Sequence, residues 1–179
     1  MSGQSLRVIV RTTGSTFRLP KDPARDVILI GLGTGLAPLR GFIDERAAMR
    51  QEGVKVGKTL LFFGCRRPDH DYIYREDLEA HRQRGNLDGL YLAFSRLPDQ
   101  PKIYVQDLIR KQAQDLWPLL RNGASVFVCG DARNMAPAVQ KAIQEILVAE
   151  GGMTGEQAEQ QIRTWRSEGR YCDDVWAST

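Results

Sequence analysis

The chain has 179 residues, 42% hydrophobic and 26% charged, with a formal net charge of +3 at pH 7. That is the size of one ordinary domain, able to bury roughly 70% of its unfolded surface and too apolar for wholesale disorder. No apolar run approaches the ~20 residues of a bilayer span, no signal pattern opens the chain, and the basic excess is confined to the first thirty residues, so the expectation is a cytoplasmic protein with neither membrane nor nucleic-acid partner.

In chain order, Leu6-RVIVR alternates apolar and charged residues like a half-exposed strand, and Phe17-RLP leads into a turn. It reads as a strand of some other sheet, joined through Pro20 to Pro23 to the rest of the chain. Four near-continuous apolar runs come next: Asp26-VILIGLG, Lys58-TLLFFGC, Gly89-LYLAFS and Ala124-SVFVCGD. Such runs are what strands covered on both faces look like. Helical patterns separate them at residues 36–52, 73–85, 104–121 and 134–150. Pro38 falls in a first turn, where its missing N–H is harmless. A fifth helix begins after Thr154, where Thr154 and Gln157 have capping-box spacing. The alternation predicts a doubly wound α/β fold with a parallel sheet, right-handed crossovers and helices on both faces.

In such a sheet, ligands bind beyond the carboxyl ends of the strands, and here those ends carry unusual residues. Gly31-Leu-Gly33-Thr34-Gly35 precedes a helix, and glycines with a helix N-terminus suit a phosphate. The third glycine arrives one residue early for the dinucleotide fingerprint, so a tight connection is an equal reading. Arg66 and Arg67 follow the second run, as a solvated loop or a phosphate contact. After the third come Ser95, Arg96, Lys102, Tyr104 and Gln106. Their donors suit a phosphate monoester and not the ribose hydroxyls of NAD, for which an acidic residue is expected. Otherwise they are a polar loop. Cys129 and Asp131 close the fourth run. The tail holds Asp174 and Trp176, and an aromatic so near a terminus frays, caps a core edge or meets a flat cofactor. Cys65, Cys129 and Cys172 are widely spaced and odd in number, and with only His70 and His81 they make neither a disulfide framework nor a metal site. No tyrosine has a lysine four residues on and no G-x-S-x-G occurs, which removes short-chain dehydrogenases and nucleophile-elbow hydrolases.

Together, Phe17-RLP, Gly31-LGTGLAPLRGF, Phe63-GCRRPDHDYIY, Phe94-SRLPDQPKIYVQ, Val128-CGDARNMAP and Gly169-RYCDDVW resemble the NADP-binding domain of diflavin, ferredoxin-reductase-like reductases. Cytochrome P450 reductase, sulfite reductase flavoprotein and nitric oxide synthase reductase belong to that family. The ending and the Leu-Pro-Asp-Gln-Pro insert look most like bacterial P450–reductase fusions.

The resemblance implies a five-stranded Rossmann-like sheet and a role for each matching position. Gly33, Thr34 and Gly35 would cradle the NADPH diphosphate with Arg66. Ser95, Arg96, Lys102 and Tyr104 would hold the 2′-phosphate, with Gln106 near the adenosine. Cys129 and Asp131 would lie by the nicotinamide, Asp174 would stabilise its developing positive charge, and Trp176 would stack on the flavin. The family's FAD-binding barrel and FMN domain are not in this sequence. Residues 1–20 are therefore expected to be the barrel's last strand and linker, and 21–179 the NADP-binding domain of an excised or partial chain, inactive alone. Electrons would pass from NADPH through FAD and FMN on the parent's other domains to a P450 haem. A sulfite reductase or other diflavin fragment, a non-catalytic NADP(H)-binding module and a purely structural domain are the alternatives.

Overall fold

The runs beginning at Val27, Thr59 and Ser125 become strands buried by helices on both sides, whereas the Gly89 run, expected to be covered likewise, and the tail stand half-open because they form the two edges of the sheet. In the computed structural model, which describes residues 17–176, they are β1 (Val27–Leu32), β2 (Thr59–Cys65), β3 (Gly89–Phe94), β4 (Ser125–Asp131) and β5 (Tyr171–Trp176). The strand read from Leu6 to Val10 lies outside the described residues. All pairings are parallel, in the order β3-β2-β1-β4-β5. The order reverses between β1 and its neighbours β2 and β4, so the topological switch point lies at β1.

Among the described residues, six helices cross between the strands: α1 (Leu36–Gln51), α2 (Arg75–Gln83), α3 (Val105–Lys111), α4 (Ala113–Arg121), α5 (Met135–Ala149) and α6 (Gly155–Ser167). Side chains alternate between sheet faces with period two. Ile28, Ile30, Phe62, Val126 and Val128 therefore pack with α3 to α6, and Val27, Leu29, Phe63 and Phe127 pack with α1 and α2. Each such side chain contributes about 1.5–3 kcal/mol when fully buried. Phe17 and Phe42 close the second cluster, their rings stacked at 5.3 Å and both edge-on to Phe127.

The capping box at α6 forms as the spacing predicts: the Thr154 N–H donates to Gln157 Oε1 (2.8 Å) and the Gln157 N–H to Thr154 Oγ1 (3.2 Å). One expected helix, 104–121, is instead two, broken at Gln112. A single straight helix of that length would run ~27 Å, past the ~20 Å of a six-residue strand. The break lets Val105 and Ile109 on one side and Leu116 and Leu120 on the other reach the same core.

At the amino edge of the sheet, Arg46 is 1% exposed and has no carboxylate partner among the described residues. Its guanidinium donates to Thr59 Oγ1 (2.9 Å) and to the carbonyls of Arg25 (3.1 Å) and Gly57 (2.8 Å), with longer contacts to Pro23 and Lys58. It ties the segment entering β1 to the start of β2. Among the described residues, no helix is long and apolar enough to cross a membrane.

Candidate cofactor-binding site

Because every strand runs the same way, all five carboxyl ends face one edge, and there they enclose a cleft of about 900 Å³. Each strand supplies part of its wall: Leu32 from β1, Gly64 and Cys65 from β2, Ala93 from β3, Asp131 from β4 and Trp176 from β5. Four inter-strand spacings of about 4.8 Å make the cleft's long axis ~19 Å. An elongated ligand suits it better than a compact one.

The floor is the glycine turn. Gly33 stands at φ 55, a left-handed conformation that favours glycine, and opens the single 3-10 turn that leads into α1. Thr34 is exposed at the rim. Gly35 is buried behind them and faces β4: a Cβ there would stand 2.2 Å from the Cys129 carbonyl oxygen. Its lack of a side chain lets the turn sit against the sheet, so its contribution is close approach and not a surface.

The two arginine loops meet across the β2–β3 ladder. The Ser95 N–H donates to the Cys65 carbonyl (3.1 Å) and the Arg96 N–H to the Arg66 carbonyl (2.9 Å), so residues thirty apart in sequence become neighbours. Arg66 lines the cleft, whereas Arg67 is turned away, held by both oxygens of Asp69 at 3.2 and 2.9 Å. Ser95, Tyr104 and Gln106 also line the cleft, and Tyr104 caps α3, its N–H donating to Asp107 Oδ2 (2.9 Å). Arg96 and Lys102 are exposed next to the wall residues Ser95 and Ile103, not in the wall itself. None of Arg66, Arg96, Lys102 and Arg133 forms an ion pair with another described residue. Four cations without carboxylate partners at one edge attract an anion.

At the other end, Asp131 accepts from the N–H groups of Asn134 (2.7 Å) and Met135 (3.3 Å), and those bonds hold its carboxyl below the usual range. It caps α5 while facing the cleft. Trp176, in register with Asp131 on the edge strand, is 42% exposed. Cys129 is not in the wall: it is fully buried in the core, and burial, then the charge of Asp174 opposite it in the ladder, pushes its thiol up to about 12. Asp174 is exposed on β5 outside the wall.

The wall also holds Asp71, Arg133, Asn134 and Met135, which the sequence reading did not single out. The last three follow Asp131 at once, and their place at the start of α5 was the available signal. Asp71 gave none, because a loop carboxylate resembles any solvated one.

Residues 29–141 match the oxidoreductase NAD-binding domain. The chain belongs to this family. The glycine turn, both arginine loops and the β4 end all fall within the matched stretch. This oxidoreductase NAD-binding domain is 48% identical over 165 residues to NADPH–cytochrome P450 reductase of Bos taurus and 48% over 163 residues to that of Homo sapiens. Each match covers 91% of the chain and 24% of the relative. The same enzyme of Aspergillus oryzae is 43% identical over 173 residues, covering 96% of the chain and 25% of the relative. The NAD-binding domain thus spans about a quarter of the length of the curated relatives it matches.

Proposed function

We propose that this domain binds NADPH, stretched across the carboxyl edge of the sheet, and presents its nicotinamide to a flavin on a neighbouring domain. The observation that carries the reading is the single cleft to which all five strand ends contribute. Its volume lies in the usual range for a ligand site of about 300–1,000 Å³. Its donors fit the dinucleotide in sequence along the axis.

Ser95, Tyr104 and Gln106, with Arg96 and Lys102 beside them, hold the 2′-phosphate end, where charge-assisted bonds are strongest. The N–H groups of the Gly33–Thr34 turn and the guanidinium of Arg66 hold the diphosphate at the switch point. Gly35 serves by letting that turn approach β4. Bound NADPH supplies a hydride at its nicotinamide ring. Around that ring, Asp174 provides negative charge, Asp131 fixes the start of α5, and Cys129 supplies a small, protonated backing. Trp176 covers the place the ring needs and swings aside, so its return favours release of the spent cofactor. Holding both rings together makes the transfer effectively unimolecular.

In the whole protein, residues 1–20 end an FAD-binding barrel and its linker, and 21–179 form the NADP-binding domain. FAD and FMN lie on the other domains, and the final acceptor is a P450 haem, joined in the same chain as in the fusions the sequence resembles. The activity is that of an NADPH–haemoprotein reductase, in the cytoplasm, where buried thiols such as Cys65, Cys129 and Cys172 stay reduced.

Calorimetric titration of the full chain tests the binding. Saturable binding of NADPH and 2′,5′-ADP, with NADH at least tenfold weaker, is expected; no saturable binding of either phosphorylated ligand overturns it. Adding the FAD domain of a related reductase and assaying NADPH-driven dye reduction then tests the electron-transfer role.

A further inference from the structure

The loop between β2 and α2 carries Arg66, the cation on the cleft's diphosphate side, on a stretch of only a few residues. That stretch is closed by one side chain. Asp71 Oδ2 accepts from the Arg67 N–H (3.2 Å), while the Asp71 N–H donates to the Arg67 carbonyl (3.0 Å). The same carbonyl receives the Cys65 thiol at 3.7 Å. Arg67 itself is clamped by Asp69, so the backbone on the far side of Arg66 is pinned twice. Arg66 is therefore aimed at the cleft by a closed ring whose key is a carboxylate.

That carboxylate also faces the cleft. Asp71 makes no ion pair with a described residue, and its Oδ1 accepts no hydrogen bond from one. A negative charge left uncompensated in a cleft lined with cations opposes the anion they attract. An asparagine would close the same ring without that opposition.

We infer that Asp71 is a positioning residue with two opposed effects: it holds the Arg66 loop in its binding shape, and its charge weakens the grip on the diphosphate so that the nucleotide leaves readily. This rests on the proposed NADPH reading and goes beyond it by naming what limits affinity at that site.

The test compares Asp71→Asn, Asp71→Ala and the wild type as full chains, titrated with 2′,5′-ADP and with inorganic pyrophosphate at low and high salt. Asp71→Asn keeps an acceptor for the Arg67 N–H and removes the charge. It should bind both ligands about threefold to tenfold more tightly at low salt, with the gain shrinking at high salt. Asp71→Ala loses charge and acceptor together and should bind at least about threefold more weakly than Asp71→Asn, one lost hydrogen bond's worth. In an Arg66→Ala background the difference between the two variants should vanish, which a general loss of structure would not produce. Binding by Asp71→Asn no tighter than wild type, equal binding by both variants, or a difference that survives Arg66→Ala overturns the inference while leaving the NADPH reading intact. Absence of saturable 2′,5′-ADP binding by the wild type overturns both.

Discussion

Gly35 and the carbonyl of Cys129 are in such close approach that a single methyl group on Gly35 would stand 2.2 Å from the carbonyl oxygen. The oxygen belongs to a central strand paired on both sides, so it cannot retreat. Gly35→Ala should therefore push the glycine turn off the sheet and cost about 1–3 kcal/mol of stability, the range for overpacking. It should also weaken 2′,5′-ADP binding by moving Thr34. Urea denaturation and calorimetry on the same sample check both; an unchanged midpoint would show that the turn has room.

Arg96→Ala should weaken NADPH and 2′,5′-ADP binding about 10- to 100-fold, since a charged hydrogen bond contributes about 1.5–3 kcal/mol. NADH, which lacks the 2′-phosphate, should bind as before. Equal losses for NADPH and NADH in parallel titrations would place Arg96 elsewhere on the ligand.

Arg46 lies at the opposite edge, so its removal should separate stability from binding. Arg46→Met leaves the Arg25 carbonyl and Thr59 Oγ1 without their donor, while the Gly57 carbonyl keeps Arg50 (2.8 Å), at about 1–3 kcal/mol for each group that water cannot reach. Arg46→Lys restores charge without the planar fork and should recover only part of the loss. Thermal unfolding measures the loss, and 2′,5′-ADP affinity of the folded fraction should not move.

Alkaline pH should expose the buried thiols. Burial, then Asp71, pushes Cys65 up to about 11, and burial, then Asp174, pushes Cys129 up to about 12, against 9.0 for an ordinary thiol. Between 9 and those values the unfolded chain has lost protons that the folded chain keeps. Stability is therefore complete below pH 9 and falls as the pH rises, by at most about 1.4 kcal/mol per pH unit for each thiol. Urea midpoints from pH 8 to 11 should show the decline, and Cys129→Ala should make it shallower.

Asp131→Ala removes the acceptor for the first N–H groups of α5 and should cost about 1 kcal/mol, as loss of an N-cap does. Asp131→Asn keeps an acceptor and should recover most of it. Thermal melts of the two variants distinguish the cap from any effect of charge in the cleft.

The runs beginning at Val27, Thr59 and Ser125 were legible as strands because burial on both faces demands unbroken apolar residues, a local property. The Gly89 run carries the same pattern yet stands half-buried at the sheet's edge, a position its own residues do not record. Thr154 and Gln157 announced α6 because a capping box needs only four residues. The division at Gln112 was not legible: nothing in residues 104–121 records how long a strand the helix must cover. Arg46, too, reads as one more charged residue on a helix, since its acceptors lie up to 23 residues away.

The site divides in the same way. Residue types and their place at strand ends already specified a parallel α/β sheet with phosphate-seeking groups along one edge, since hydrophobic period and strand direction are written into short stretches of chain. Only the packed structure decided which of those groups face the cleft. It placed Arg66 inward and Arg67 outward, set Arg96 beside Arg66, and put Cys129 in the core behind Gly35. Such choices depend on hydrogen bonds and contacts between segments far apart in the chain, and these exist only once the sheet has brought the segments together.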